Sequence, residues 1–282
     1  MAEKTNRKAK TMKNKIMAIT SLLALAAAST FAGESPAKEI NSLADISVVG
    51  EALSKFSASA AVGYESEFIF RGKQLAGAAV CPQVDASYDI GAGFGTYVGW
   101  WGCYSTDGFG YGENDLYAGL TYSVADFTFD FGYTAYTYPA DGSVNEHELK
   151  FCVSYDTSEL LGDFAIAPYV AGYYNLTYSG TTIEAGISYS APITKWILGD
   201  NWGSIDIAAF GGYADYIGGM VADRGGYAYA GFKADAVVKV NEYCSAYAGI
   251  RYACNNDGDG GAVAVEGREN NLWFGTGVSF GF

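Results

Sequence analysis

Positive charge is scarce in this 282-residue chain, which sets 17 Lys+Arg against 31 Asp+Glu. Binding to phosphate backbones needs clustered Lys and Arg, so the balance argues against nucleic acid as a partner. Histidine is nearly absent, with His147 alone, and only five prolines interrupt the chain. Long hydrophobic runs are missing too. The longest, Ile16 to Ala28, falls short of the ~20 residues of a membrane-spanning helix, so any membrane crossing must be made by strands. What is plentiful is 37 Gly, 23 Tyr and 16 Phe, a composition that suits many alternating strands rather than helices.

The N-terminal segment carries Lys4, Arg7, Lys8, Lys10, Lys13 and Lys15 ahead of that apolar run, and small residues follow at Ser29, Thr30 and Ala32. This reads as a secretory signal peptide over 1–32. Its removal would take away six basic residues and one acidic one, leaving 11 Lys+Arg against 30 Asp+Glu. Residues 33–56 follow a different rule, since Ile40, Leu43, Ile46, Val49, Leu53 and Phe56 recur at helical spacing after Ser35 and Pro36, a plausible N-cap and first helical position. A periplasmic leader or short amphipathic helix is expected there, with a plug inside a lumen as the other reading.

From residue 57 the period changes to two. The last stretch, Asn271 to Phe282, sets Leu272, Phe274, Val278, Phe280 and Phe282 on one face and Gly275, Gly277, Ser279 and Gly281 on the other, the pattern of a strand with lipid on one side and a lumen on the other. About twelve such segments are expected, at 57–71, 79–90, 94–104, 113–124, 127–138, 146–156, 163–178, 181–190, 204–216, 226–240, 243–253 and 271–282. Tight turns at Gly91-Ala92-Gly93, Ala125-Asp126 and Asn241-Glu242 alternate with long Gly/Asp-rich connections at 105–112, 217–225 and 254–270, the asymmetry of short periplasmic turns and long outer loops. Two connections break that alternation: 191–203 is long where a short turn is due, and Ser179-Gly180 is tight where a long loop is due. The fold class expected is all-β, a transmembrane antiparallel up-and-down barrel occupying 57–282.

Charge supplies a check on the faces. With the more apolar parity turned outward, Phe127, Phe129, Phe131 and Tyr133 face lipid in one strand and Leu149, Phe151, Val153 and Tyr155 in the next. The lumen then receives Glu65, Glu67, Asp85, Asp89, Asp115, Asp130, Glu148, Glu184, Asp206 and Asp235, together with Arg71, Lys150, Lys233, Lys239 and Arg251. A basic residue on the lipid face near the midplane costs roughly 2 to 4 kcal/mol, so this segregation is what a barrel demands. Ten acids packed into a soluble core would instead leave charges buried without partners.

Two resemblances follow from these residues. The chain ends on an aromatic, Phe282, and its last strand resembles the C-terminal signature by which the barrel-assembly machinery of bacterial outer membranes recognises its substrates. The stretch Y-E-S-E-F-I-F-R-G at 64–72 resembles the first-strand motif of the TorF-type porin family, and G-F-G-T-Y-V-G-W-W-G at 93–102, E-N-D-L-Y-A-G-L-T-Y at 113–122 and E-H-E-L-K-F at 146–151 look like that family's successive strands in the same order. The resemblance extends to about Asp156. It implies an outer-membrane barrel with a pore function and no catalytic residues to transfer.

Candidate chemistry is sparse. Inward aromatics (Tyr97, Trp101, Tyr117, Tyr136, Tyr169, Tyr173, Phe210, Tyr227, Tyr229, Tyr247 and Trp273) form either a stacking track for solutes or the filling of a narrow tube, and the acids beside them predict passage of cationic or neutral solutes. Cys81 and Cys103 lie equally far from the turn centre Ala92 and both point inward, so they oppose each other at close to disulfide range. Cys152, Cys244 and Cys254 have no derivable partner. Asn255, Asp257, Asp259, Gly260 and Glu266 occupy positions 1, 3, 5, 6 and 12 of a calcium loop, although strands flank them and a flexible acidic outer loop is the alternative. His147 on a lipid face suggests a barrel hydrolase, but Leu149 stands where the nucleophile is needed. The expectation is a non-enzymatic porin or narrow diffusion channel without a cofactor, in contact with outer-membrane lipid and small solutes; the alternative is a non-conducting structural or adhesive barrel. Calorimetric titration with calcium decides the loop: absence of heat is expected of the flexible loop, and saturable heat would assign the ion site.

Overall fold

The computed structural model describes residues 54–108, 110–139, 144–193, 202–217, 220–221, 226–256 and 269–281. The signal-peptide and leader segments up to residue 53, the C-terminal Phe282, and Asp257, Asp259, Gly260 and Glu266 of the acidic loop lie outside them.

Twelve long strands form one closed antiparallel ring. In chain order these are β1 (Phe56–Glu65), β4 (Ala79–Gly91), β5 (Phe94–Ser105), β6 (Gly112–Val124), β7 (Phe127–Thr137), β8 (Glu146–Tyr155), β9 (Ile166–Asn175), β10 (Gly180–Pro192), β11 (Gly203–Ala214), β14 (Tyr227–Lys239), β15 (Cys244–Asn255) and β16 (Asn270–Gly281). Two small hairpins are inserted, β2 (Phe68–Phe70) with β3 (Lys73–Ala76) and β12 (Tyr216–Ile217) with β13 (Met220–Val221), and a one-turn helix α1 (Ser158–Leu161) precedes β9. Each ring strand pairs with its sequence neighbour, and β1 closes on β16 with Val62 opposite Val278 and Gly63 opposite Gly277. No sheet edge is left in the ring, which lets every strand satisfy its backbone without water.

Period two explains the two surfaces. Leu120 is 58 % and Phe131 is 61 % exposed on the outside, and outward rings meet directly across the ladder: Phe94 on Tyr122, Phe127 on Tyr155 and Phe131 on Phe151, with centroids 4.5 to 4.8 Å apart. Such cross-strand aromatic pairs stabilise a sheet. The inward register carries the charges. Where β16 alternates Gly with larger residues, the gap has a use: a side chain at Gly275 would stand 2.2 Å from a Glu65 carboxylate oxygen, so the small inward face of the last strand is the space that Glu65 fills.

Four boundaries depart from the sequence reading. Phe56, assigned to the leader, opens β1. The strand expected over 57–71 ends at Glu65, because residues 66–78 leave the wall. The strand expected over 163–178 runs only from Ile166 to Asn175, since residues 162–164 are helical and Asn175 Oδ1 accepts from the Thr177 and Tyr178 amides at 2.9 and 3.0 Å. That side-chain turn makes the connection to β10 four residues long rather than two. Finally, β10 continues to Pro192 and β11 begins at Gly203, while 194–201 between them lies outside the described residues.

The lipid-facing assignment carries a direct test. Leu120→Arg should lower the unfolding free energy in lipid vesicles by about 2 to 4 kcal/mol, and Thr121→Arg, one residue on and inward, by clearly less; equal losses would contradict the assignment.

Candidate functional site, a hairpin seated across the lumen

The connection between β1 and β4 is not an outer loop but an inward hairpin. Ser66 still pairs with β16, donating its amide to the Phe274 carbonyl at 2.9 Å and accepting the Phe274 amide on its hydroxyl at 3.1 Å. Beyond it the chain turns into the lumen. Its tip is the pair Arg71-Gly72, both at positive φ, 47° and 78°, between the paired residues Phe70 and Lys73. A two-residue hairpin loop with both central residues left-handed is normally Asn-Gly or Gly-Gly. Gly72 is required here twice over, since a Cβ would lie 2.8 Å from Tyr229 Cβ and 2.9 Å from the Cys254 carbonyl oxygen. Arg71 adopts this sparsely populated conformation despite its side chain, an outlier that points to a role for the guanidinium.

The role is visible in its contacts. Both terminal nitrogens of Arg71 donate to the Glu148 carboxylate, at 2.9 and 3.0 Å, and the guanidinium lies 4.7 Å from the centres of the Phe70 and Tyr173 rings. Burial works against its charge, but the Glu148 carboxylate beside it holds its pKa well above the ordinary arginine value. The Tyr227 hydroxyl donates to the Arg71 carbonyl at 3.0 Å, and the Asn255 side-chain amide donates to the Gly72 carbonyl at 2.8 Å. Lys73 sits over the Tyr227 ring at 4.5 Å. Because β1 and the β8–β9 pair lie half the ring apart, a hairpin rooted on β1 and pinned on Glu148 and Tyr173 crosses the tube from wall to wall.

The body of the hairpin packs like a small core. Phe68, 1 % exposed, lies 5.6 Å from Trp101 and 5.5 Å from Tyr111 between ring centres. Leu75 and Ala76 join the same cluster with Cys81 and Cys103, Ile69 packs with Ala253 and Trp273, and Phe70 packs against the cluster of Ala214, Tyr227 and Tyr229. Cys81 and Cys103 oppose each other on β4 and β5 and form a disulfide beneath this cluster, while Cys152, Cys244 and Cys254 are free.

Around the hairpin several acids and bases of the outer half pair with one another or with aromatic donors. Glu65 is 0 % exposed, accepts from the Trp273 indole at 2.9 Å and pairs with Arg251 at 3.1 Å, and Arg251 also pairs with Asp235. Lys150 pairs with Asp130, which accepts the Tyr97 hydroxyl at 2.9 Å. Glu184 accepts the hydroxyls of Tyr169 and Tyr229 at 2.8 and 2.7 Å. Toward the rim of short turns the inward residues are smaller and half-buried, among them Ser57, Ser59, Ser87, Ser123 and Ser188. There Asp85 accepts the Tyr117 hydroxyl, Asp206 accepts Ser190 at 2.6 Å, and Asp89 takes the Gly91 amide of its own turn at 2.8 Å. Lys233 and Lys239 share the inward parity of Asp235 on β14.

The residues assigned to the lumen from sequence therefore point inward, with one correction. Glu67 and Arg71 do not line a wall; they belong to the segment inside the tube, and Phe68 and Phe70, outward by simple alternation, are lumen residues. Asn255, a candidate calcium ligand, donates its side-chain amide to the hairpin carbonyl of Gly72, while the other candidate ligands of that loop lie outside the described residues. His147 faces outward, its Nδ1 2.7 Å from the Tyr133 hydroxyl with the rings stacked, and Leu149 follows it. Sequence reading missed Glu113 and Glu146, buried at the outer rim of β6 and β8. Their parity with Asp115 and Glu148 was the available signal.

Residues 50–186 match the family model Gcw_chp, a bacterial protein of unknown function. That stretch includes the whole hairpin and Glu148. Among solved structures, an outer membrane channel from Pseudomonas putida F1 is similar at 11 % identity and a TM-score of 0.50, over 81 % of this chain and 96 % of that one. The translocator domain of the autotransporter NalP from Neisseria meningitidis aligns at 11 % identity and a TM-score of 0.47, over 80 % and 88 %; the KdgM porin does so at 12 % and 0.45, over 80 % and 99 %. No curated protein matches the chain. At 11 % identity the likeness to the Pseudomonas channel shows the fold alone, a closed barrel.

Breaking a buried pair by removing one partner costs about 3 to 5 kcal/mol. Arg71→Ala should therefore destabilise the hairpin on that scale, read as protease cleavage between residues 66 and 78 in the folded, detergent-bound barrel; a hairpin as resistant as the wild type would show that the pair does not pin it.

Proposed function

We propose that the protein is an outer-membrane diffusion channel whose bore is set by the hairpin between β1 and β4. The observation that carries the reading is the seating of Arg71 on Glu148, half the ring from the hairpin's root. A purely structural barrel has no need of a strained tip held by side chains from four separate strands, whereas a conduit needs a constriction whose position is fixed. Lipid on the outward face, small solutes in the lumen, and delivery by the barrel-assembly machinery through the last strand accompany this reading, as does membership of a porin class of the TorF type. Catalysis has no part in it, the mechanism being passive diffusion past ionised and aromatic side chains.

Solute preference follows from the inward charges. Arg71, Lys150 and Arg251 are each held by carboxylates, while Asp85 and Asp206 accept hydrogen bonds from neutral side chains, Tyr117, Gln83 and Ser59 on the first and Ser190 on the second. The field that a passing ion meets is negative, so cations and neutral solutes are favoured. The competing reading, a non-conducting barrel that displays its loops, is favoured by the same packing of hairpin against wall if the hairpin never moves.

Planar-bilayer recording of the refolded chain under a KCl gradient separates these readings. Discrete conductance with a cation-selective reversal potential is the expected result. Anion selectivity would overturn the charge argument, and silence from correctly folded barrels would favour the structural reading.

A further inference from the structure

The carboxylate that holds Arg71 is one corner of a larger acidic shelf. Strands β6 and β8 present Glu113, Asp115, Glu146 and Glu148, each more than nine-tenths buried. Register sets Asp115 opposite Tyr136 and Tyr136 opposite Glu146, and the Tyr136 hydroxyl donates to Glu148 at 2.9 Å, so the four acids surround one tyrosine on β7. Three of them have partners. Glu113 accepts the Tyr111 hydroxyl, Glu146 accepts the Asn175 amide at 2.6 Å and the Tyr138 hydroxyl at 3.3 Å, and Glu148 holds Arg71. Asp115 has none: it is 0 % exposed and neither of its oxygens meets a hydrogen-bond donor.

A buried carboxylate left without donors is costly, and a ligand that supplies them gains what the protein lacks. The kind of ligand is constrained by two observations. The acids do not converge as a metal cage among the described residues, so an extended cation with several N–H groups fits better than a compact ion. The shelf also already accepts one guanidinium, forked on Glu148 and laid against the Tyr173 ring, the planar geometry in which such groups are recognised.

We propose that Asp115, with Glu113 and Glu146 beside it, forms a recognition site for solutes bearing a guanidinium or primary ammonium group, and that Arg71 of the hairpin occupies the adjoining berth. The inference rests on the channel reading and names its solute class. A guanidinium solute entering beside Arg71 would compete for Glu148 as well, which couples solute binding to release of the hairpin tip.

Calorimetry on the refolded full chain in detergent reads binding without conduction, so its outcome is separable from that of the bilayer recording. The probes are ethylguanidinium and tetramethylammonium, equal in charge but differing in N–H donors. Saturable binding of ethylguanidinium is expected, at least about tenfold tighter than tetramethylammonium, as the loss of charged hydrogen bonds implies. Asp115→Asn should weaken it by a similar factor, while Glu242→Gln, on the exposed short turn between β14 and β15, should leave it unchanged. Equal affinity for the two probes, or unchanged affinity in Asp115→Asn, would overturn the proposal. If Asp115→Asn does not fold, Arg71→Gln decides: the emptied berth should tighten ethylguanidinium binding or add a second equivalent, and wild-type behaviour would refute the site.

Discussion

Hydrocarbon offers no partner for a backbone N–H or C=O, and the whole structure follows from that constraint. The ring must close, which the β1–β16 ladder does. Once it is closed, the two-residue period of a strand divides every segment between lipid and lumen, and ionised side chains have only the lumen to occupy. Interior charge is thus a consequence of closure rather than an independent feature. A narrow tube that gathers more than a dozen ionisable groups must then pair them, as the Glu65–Arg251–Asp235 and Lys150–Asp130 groupings do.

The hairpin turns this crowded interior into something with a defined shape. In its outer half the tube is packed with aromatic and charged residues, and the segment 66–78 completes that packing from within, with Phe68 against Trp101, Ile69 against Trp273 and Arg71 against Glu148 and Tyr173. The disulfide joins the two wall strands on which Phe68 and Leu75 rest, so the seat is braced where the hairpin leans on it. Polar contacts at the tip, by contrast, come from side chains that a solute could also engage. Apolar contacts near the root and polar contacts at the tip describe an element fixed at one end and exchangeable at the other.

Most of the ring was legible in the sequence because lipid imposes a strict alternation, and a strict alternation leaves a readable pattern. Leu272, Phe274 and Val278 announced β16, and the distances of Cys81 and Cys103 from Ala92 set their register. The hairpin was not legible by the same rule. Inside the lumen a segment meets protein on both faces, so Phe68 and Ile69 are buried in succession, as are Arg71, Gly72 and Lys73, and the two-residue period disappears; continuing the alternation through them made the first wall strand six residues too long. The turn at Arg71-Gly72 was masked because Arg is not a usual left-handed residue. The acidic shelf escaped notice for another reason: its members lie on separate strands, and only register brings Asp115, Tyr136 and Glu146 level.

The central claim is that the hairpin sets the bore. Replacing residues 67–77 by Asn-Gly would join Ser66 to Ala78 through a short turn and leave the β1–β4 ladder intact. Single-channel conductance of that variant should rise well above that of the full chain as the interior widens, and the Glu148 carboxylate that Arg71 leaves behind should keep the lumen cation-preferring. A variant that folds as a barrel and conducts no more than the full chain would contradict the account.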